Sequence, residues 1–146
     1  MIGLLQRVDY AKVEVNQTIV GQIDAGLLVL VGIEKSDNFK QAQRLIDRLL
    51  AYRVFEDSNG RMNLSVKDIE GGLLLVPQFT LVADTAKGNR PSFSAAAPPV
   101  MAQTLFQQMY EYAMVCYTNV AAGRFGADMR VSLCNNGPVT FKLQIN

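Results

Sequence analysis

The chain of 146 residues predicts an α+β fold, a mostly antiparallel sheet or small barrel-like sheet packed with a few helices. Three observations predict it. Short apolar segments with strand character occupy the beginning, the middle and the end of the chain, and two longer segments between them carry helical periodicity. No repeat, linker or low-complexity stretch divides residues 1–146, so a single domain is expected. Apolar residues make up 49% of the chain, enough for a continuous core without metals or disulfides.

Residues 2–8 alternate as a strand, with Ile2, Leu4, Gln6 and Val8 on one face and Gly3, Leu5, Arg7 and Asp9 on the other. Residues 12–15 and 18–23 predict a hairpin around Asn16 and Gln17, and residues 27–33 a buried strand. Asn38 and Gln41 have the spacing of a capping box. Phe39, Ala42, Leu45, Ile46, Leu49 and Leu50 then predict a helix over 38–51, with Lys40, Arg44, Asp47 and Arg48 on its solvated face. Residues 57–60 form a turn by composition. After Gly71 and Gly72, residues 73–82 predict a strong strand, followed by a loop over 83–97. Pro98 and Pro99 open a second helix whose apolar face is Met101, Leu105, Met109, Tyr112 and Cys116. Beyond Gly123 and Gly126, residues 129–134 and 139–145 predict two strands joined by a turn at 135–138.

Composition narrows the chemistry. Lysine and arginine number 14 against 13 acidic residues, so no long-range field draws the chain to nucleic acid and any RNA contact must be local. Cys116 and Cys134 form no CxxC and sit among apolar residues, which predicts buried reduced thiols. The start of the chain lacks a basic stretch followed by a long apolar one, and no run is long enough to cross a bilayer, so a cytoplasmic protein without a membrane is expected. The chain has no histidine. That removes the Ser-His-Asp and Cys-His systems, histidine bases and most catalytic zinc sites. Neither a metal nor a cofactor is expected.

Three segments carry chemistry. In the strand predicted over 73–82, Gln78 and Thr80 fall on one face, where they either present an amide and a hydroxyl to a ligand or form an ordinary solvent face. In residues 136–140 the Gly137-Pro138 bond either makes a common trans turn or, as a cis peptide, points its neighbouring carbonyls in an unusual direction. Residues 87–93 combine Lys87, Arg90 and Phe93 with a flexible backbone, the ingredients of a phosphate or nucleotide contact.

Taken together, PQFTL at 77–81, VADTAKGNRPSFSAAAPP at 82–99, GRFGADM at 123–129 and NNGPVT at 135–140 resemble the D-aminoacyl-tRNA deacylases. The opening LLQRV and the stretch FEDSNGRMNLS extend the resemblance from end to end. It implies a homodimer with active sites at the interface, acting on the 3′ acceptor end of aminoacyl-tRNA. Gly137 and Pro138, cis, would then reach into the partner's pocket and exclude L side chains, while Gln78, Phe79 and Thr80 surround the scissile ester. Arg7 would hold the Gly-Pro carbonyls, although by sequence alone it is an outward-facing arginine. Phe125 and Met129 would help to form the pocket for the terminal adenosine. The chain departs from the family at Pro77, where serine is usual. A related branch that prefers an L-amino acid has proline there, together with alanine at the Phe79 position and tyrosine at the Val139 position, so two of three positions match the D-specific branch.

An aminoacyl ester is already activated, so a chain without histidine needs mainly to position it, stabilise an oxyanion and admit water. Backbone N–H groups near Phe79 and Thr80 suit the oxyanion, and the substrate's 2′-hydroxyl suits assistance to water. A filter that works by exclusion would pass glycine as well as D residues. Two other classes fit the composition, a non-catalytic RNA-binding module and a small-molecule esterase, and the missing histidine weighs against the second.

Overall fold

The computed structural model describes residues 1–146. Its first strand, β1 (Ile2–Val15), is a single element where the sequence predicted two. The apolar phase misleads here because it flips partway along. Leu5 and Arg7 face one side, whereas Val8, Ala11 and Val13 face the other, and irregularities in the pairing with the last strand fall on both sides of Val8. Asn16 and Gln17 both take left-handed φ, 49° and 64°, and turn β1 into β2 (Thr18–Ile23) as predicted.

β3 (Gly26–Gly32) returns antiparallel to β1, and β6 (Gly72–Pro77) lies parallel to β3. A short strand that sequence reading missed, β7 (Val120–Ala122), extends the sheet parallel to β6. The sheet is therefore mixed, in the order β2-β1-β3-β6-β7 with β8 (Arg130–Gln144) along the other edge of β1. Its far edges meet. A Cβ built on Gly21 of β2 would lie 2.5 Å from the carbonyl oxygen of Ala122 in β7, so only glycine lets the sheet curl into a nearly closed barrel.

Burial on both faces explains the unbroken apolar runs of β3 and β6. Leu27, Val29, Leu73 and Leu75 face the helices, whereas Leu28, Leu74 and Val76 face the barrel interior. The helix α1 (Phe39–Ala51) has the predicted capping box, with Asn38 accepting from the backbone of Lys40 and Gln41 accepting from that of Asn38. Between α1 and β6, the strands β4 (Phe55–Glu56) and β5 (Met62–Leu64) flank the predicted turn. The helix α2 (Pro99–Cys116) buries Ala102, Leu105, Phe106, Met109 and Ala113. That face is rotated from the predicted one. The alanines give α2 its close approach, and Met101, Tyr112 and Cys116 lie at the margin, half-buried. The Tyr112 hydroxyl, beside the Cys116 thiol and donating to Asp47 at 3.0 Å, has its pKa pushed up to about 12 and stays a donor between the helices. Cys116 is half-buried and Cys134 is exposed, against the expectation of two core thiols. No helix is long and apolar enough to cross a membrane.

Candidate active site

The strand predicted over residues 73–82 stops early, and the site begins where it stops. Pairing of β6 with β7 ends at Leu75, so the absent N–H of Pro77 faces a side where no strand needs it. Gln78 donates its backbone N–H to Val31 at 2.8 Å, and Phe79–Val82 then form one 3-10 turn. Gln78 and Thr80 therefore do not alternate along a strand. The turn nevertheless brings them together, with the Gln78 side-chain amide donating to the Thr80 hydroxyl. The backbone N–H groups of Phe79 and Thr80 have no acceptor within the chain, because the first bond of the turn runs from Leu81 to Gln78.

A cavity of about 500 Å³ opens beyond the C-terminal ends of β3 and β6. Gln78, Phe79, Phe125 and Met129, four of the residues singled out from the sequence, line it together with Pro77. Met129 fits because residue 123 is glycine, where a Cβ would stand 2.8 Å from its sulfur. Sequence reading missed Asp128, the one ionisable side chain that lines the cavity. Its signal was present, a lone acid within the conspicuous GRFGADM stretch. Phe79 is 60% exposed and packs against Phe93, with ring centroids 5.1 Å apart.

Thr80, Arg7, Gly137 and Pro138 do not line this cavity. The predicted turn at 135–138 is not a hairpin either. Both halves of β8 pair with β1, Thr140 opposite Gln6 and Asn135 opposite Val8, so residues 136–139 bulge out opposite the single residue Arg7. Side chains replace the lost ladder. Asn135 accepts from the Val139 backbone at 2.8 Å and donates to the Thr140 hydroxyl, while Asn136 donates to Asp9 at 2.7 Å. Arg7 is 7% exposed, not outward-facing. Its guanidinium donates to the Val54 carbonyl at 2.7 Å and to the Asn136 carbonyl at 3.0 Å, the carbonyl just before Gly137 and not one of the Gly-Pro pair.

The Gly137-Pro138 peptide is cis, and not the trans turn that composition alone favours. Gly137 has φ +132°, and a Cβ there would meet Val139 at 2.7 Å, so residue 137 must be glycine. Both Gly137 and Pro138 are exposed. Arg7 pairs with Leu27, four residues before Val31 at the cavity, which separates the bulge from the cavity by about 13 Å along β3.

Residues 4–144 match the family model described as D-Tyr-tRNA(Tyr) deacylase. A D-aminoacyl-tRNA deacylase of Pseudomonas putida is 60% identical over 145 residues, 99% of this chain and 100% of its own length. One of Nitrosococcus oceani is 58% identical over 99% of this chain and 94% of its own. A solved structure described as c-Myc DNA Unwinding Element Binding Protein superposes with a TM-score of 0.95 at 36% identity, over 100% of this chain and 99% of that one. Another, a probable eukaryotic D-amino acid tRNA deacylase, has a TM-score of 0.83 at 16% identity over 97% and 98% of the two chains, and so shares the fold. With nearly its whole length matched by the family model and by relatives this similar, the chain belongs to the D-Tyr-tRNA(Tyr) deacylase family.

Proposed function

We propose that the chain is a hydrolase that cleaves the ester between a D-amino acid and the 3′ end of tRNA, releasing both and so proofreading translation. The observation that carries this reading is the pair of unpaired backbone N–H groups at Phe79, which lines an apolar cavity, and at its neighbour Thr80, in a chain with no histidine. Two amides aimed at one oxygen stabilise the tetrahedral intermediate of acyl transfer without a protein base. Water adds to the ester carbonyl, negative charge collects on its oxygen, and the C–O bond to the ribose then breaks. The neighbouring 2′-hydroxyl of the substrate assists the proton transfers, and the ribose oxygen leaves protonated. Gln78 orients the Thr80 hydroxyl, which positions the substrate or the water and forms no bond to the acyl group. Phe125 and Met129 pack against the terminal adenosine, and Asp128 gives the rim a negative charge that favours the α-ammonium of the amino acid.

Selection by handedness needs a second copy of the chain. Within one chain Gly137 and Pro138 are exposed and distant from the cavity, whereas a partner in a homodimer can bring this rigidly held bulge against it. Its carbonyls then occupy the space an L side chain needs, and D-aminoacyl and glycyl esters pass by exclusion of the competitor. Such an enzyme works in the cytoplasm, where tRNA is charged. Incubation with D-tyrosyl-tRNA tests the reaction, with release of free D-tyrosine and intact tRNA at catalytic enzyme concentration as the expected result. Binding of tRNA without release of tyrosine would contradict it and leave an RNA-binding module.

A further inference from the structure

We infer that the loop between the 3-10 turn and α2 is the clamp that holds the phosphates of the substrate's single-stranded 3′ end, with Lys87 and Arg90 as its contacts. This rests on the reading of the cavity as the site for the terminal aminoacyl ester. The loop is built to stand beside that cavity. Asp84 and Ser92 exchange backbone hydrogen bonds of 2.8 and 3.0 Å, which close residues 85–91 into a protruding tip. At the base of the tip, the Phe93 ring lies against Phe79, itself a lining residue of the cavity. On the returning arm, Lys35 donates its backbone N–H to Ala95 at 3.1 Å, and Ala96 and Ala97 line the cavity. Arg90 is three residues from Phe93, a span of at most about 10 Å, so its long side chain works at the rim.

The charges of the tip are free for a ligand. Lys87 and Arg90 are exposed and take no part in an ion pair of the chain. The one acid of the loop, Asp84, has a carboxylate oxygen folded back onto the Ala86 backbone N–H at 2.9 Å. After it no acidic residue follows until Glu111. A chain with a net charge of only +1 has no general attraction for RNA, so affinity must come from a local cluster at the site. An ester bound in the cavity delivers its adjoining phosphates to the rim, and Gly88, at φ +68° with open space around it, lets the tip follow them.

The double variant Lys87→Ala/Arg90→Ala tests this with two substrates, D-tyrosyl-tRNA and the phosphate-free ester 3′-D-tyrosyl-adenosine. For the tRNA, KM is expected to rise about tenfold with kcat retained. The salt dependence should also flatten, since two phosphate contacts make parent affinity fall about sevenfold between 50 and 200 mM salt. For the adenosine ester the double variant is expected to match the parent, and Lys87→Arg/Arg90→Lys should restore the tRNA KM. An unchanged KM for the tRNA, or an equal loss on both substrates, would overturn the clamp while leaving the hydrolase reading in place. No turnover of either substrate by the parent would overturn both.

Discussion

Arg7 joins three segments that are distant in sequence, since its guanidinium is shared between the Val54 carbonyl, the Asn136 carbonyl and, at 4.0 Å, the Glu56 carboxylate. A lysine has one point charge where this site uses a planar fork. Arg7→Lys therefore leaves a buried carbonyl without a donor and should lower stability by roughly 1–3 kcal/mol, measured by urea unfolding. Gly137→Ala should cost roughly 1–3 kcal/mol on the same measurement, because an L residue at that φ is strained and its Cβ strikes Val139. Thr80→Ala should slow deacylation without abolishing it, and mass spectrometry of the parent during turnover should find no acyl group on Thr80. At this scale the sequence singled out side chains without saying where they sit. Gln78 and Thr80 stood out as polar interruptions of an apolar run, whereas Phe79 entered only through the family resemblance. Arg7 did not stand out, because only the bulge opposite it makes that position buried, and nothing in a strand pattern announces the bulge.

Among the elements, α1 was the most legible because a capping box and a 3.6-residue stripe agree on its limits. Removing the Asn38 cap with Asn38→Ala should cost about 1 kcal/mol, visible as a lower midpoint of thermal unfolding. The turn that follows β5 is held by a carboxylate. Asp68 accepts from the backbone and hydroxyl of Ser65, both at 2.7 Å, and these bonds hold its pKa below the usual carboxylate value. A carboxylate depressed by folding contributes stability that is full above its unfolded pKa and lost as pH falls through the lower folded one. The stability difference between the parent and Asp68→Ala should therefore be constant near neutrality and shrink once pH drops below about 4. β1 and β8 were misread for one reason. A strand is recognised by an unbroken period of two, and each of these strands contains irregular pairing that breaks it, Asp9 in β1 and residues 136–139 in β8. β6 was read too long because Leu81 and Val82 extend the apolar composition, although the pairing with β3 ends at Pro77 and the chain enters the 3-10 turn at Phe79.

The whole molecule separates two functions that the proposed reaction needs together. The cavity lies at one end of the barrel, beyond Val31 and Val76, and the Gly137-Pro138 bulge projects elsewhere, held by Arg7 and the paired asparagines. If a partner's bulge completes each site, mixing two defective variants, Gln78→Ala/Thr80→Ala and a bulge variant such as Pro138→Ala, should restore part of the activity as heterodimers form. Mixtures no more active than their parts would contradict shared sites. The barrel itself was foreshadowed by apolar runs that demand burial on both faces, but its closure at Gly21 and Ala122 depends on a contact between distant segments that no local pattern reports. The measurement closest to the central claim is the rate of deacylation of D-tyrosyl-, glycyl- and L-tyrosyl-tRNA by one preparation under identical conditions. Turnover of the D-tyrosyl and glycyl esters with L-tyrosyl-tRNA left intact is the expected result, and hydrolysis of L-tyrosyl-tRNA as fast as the D form would contradict selection by exclusion.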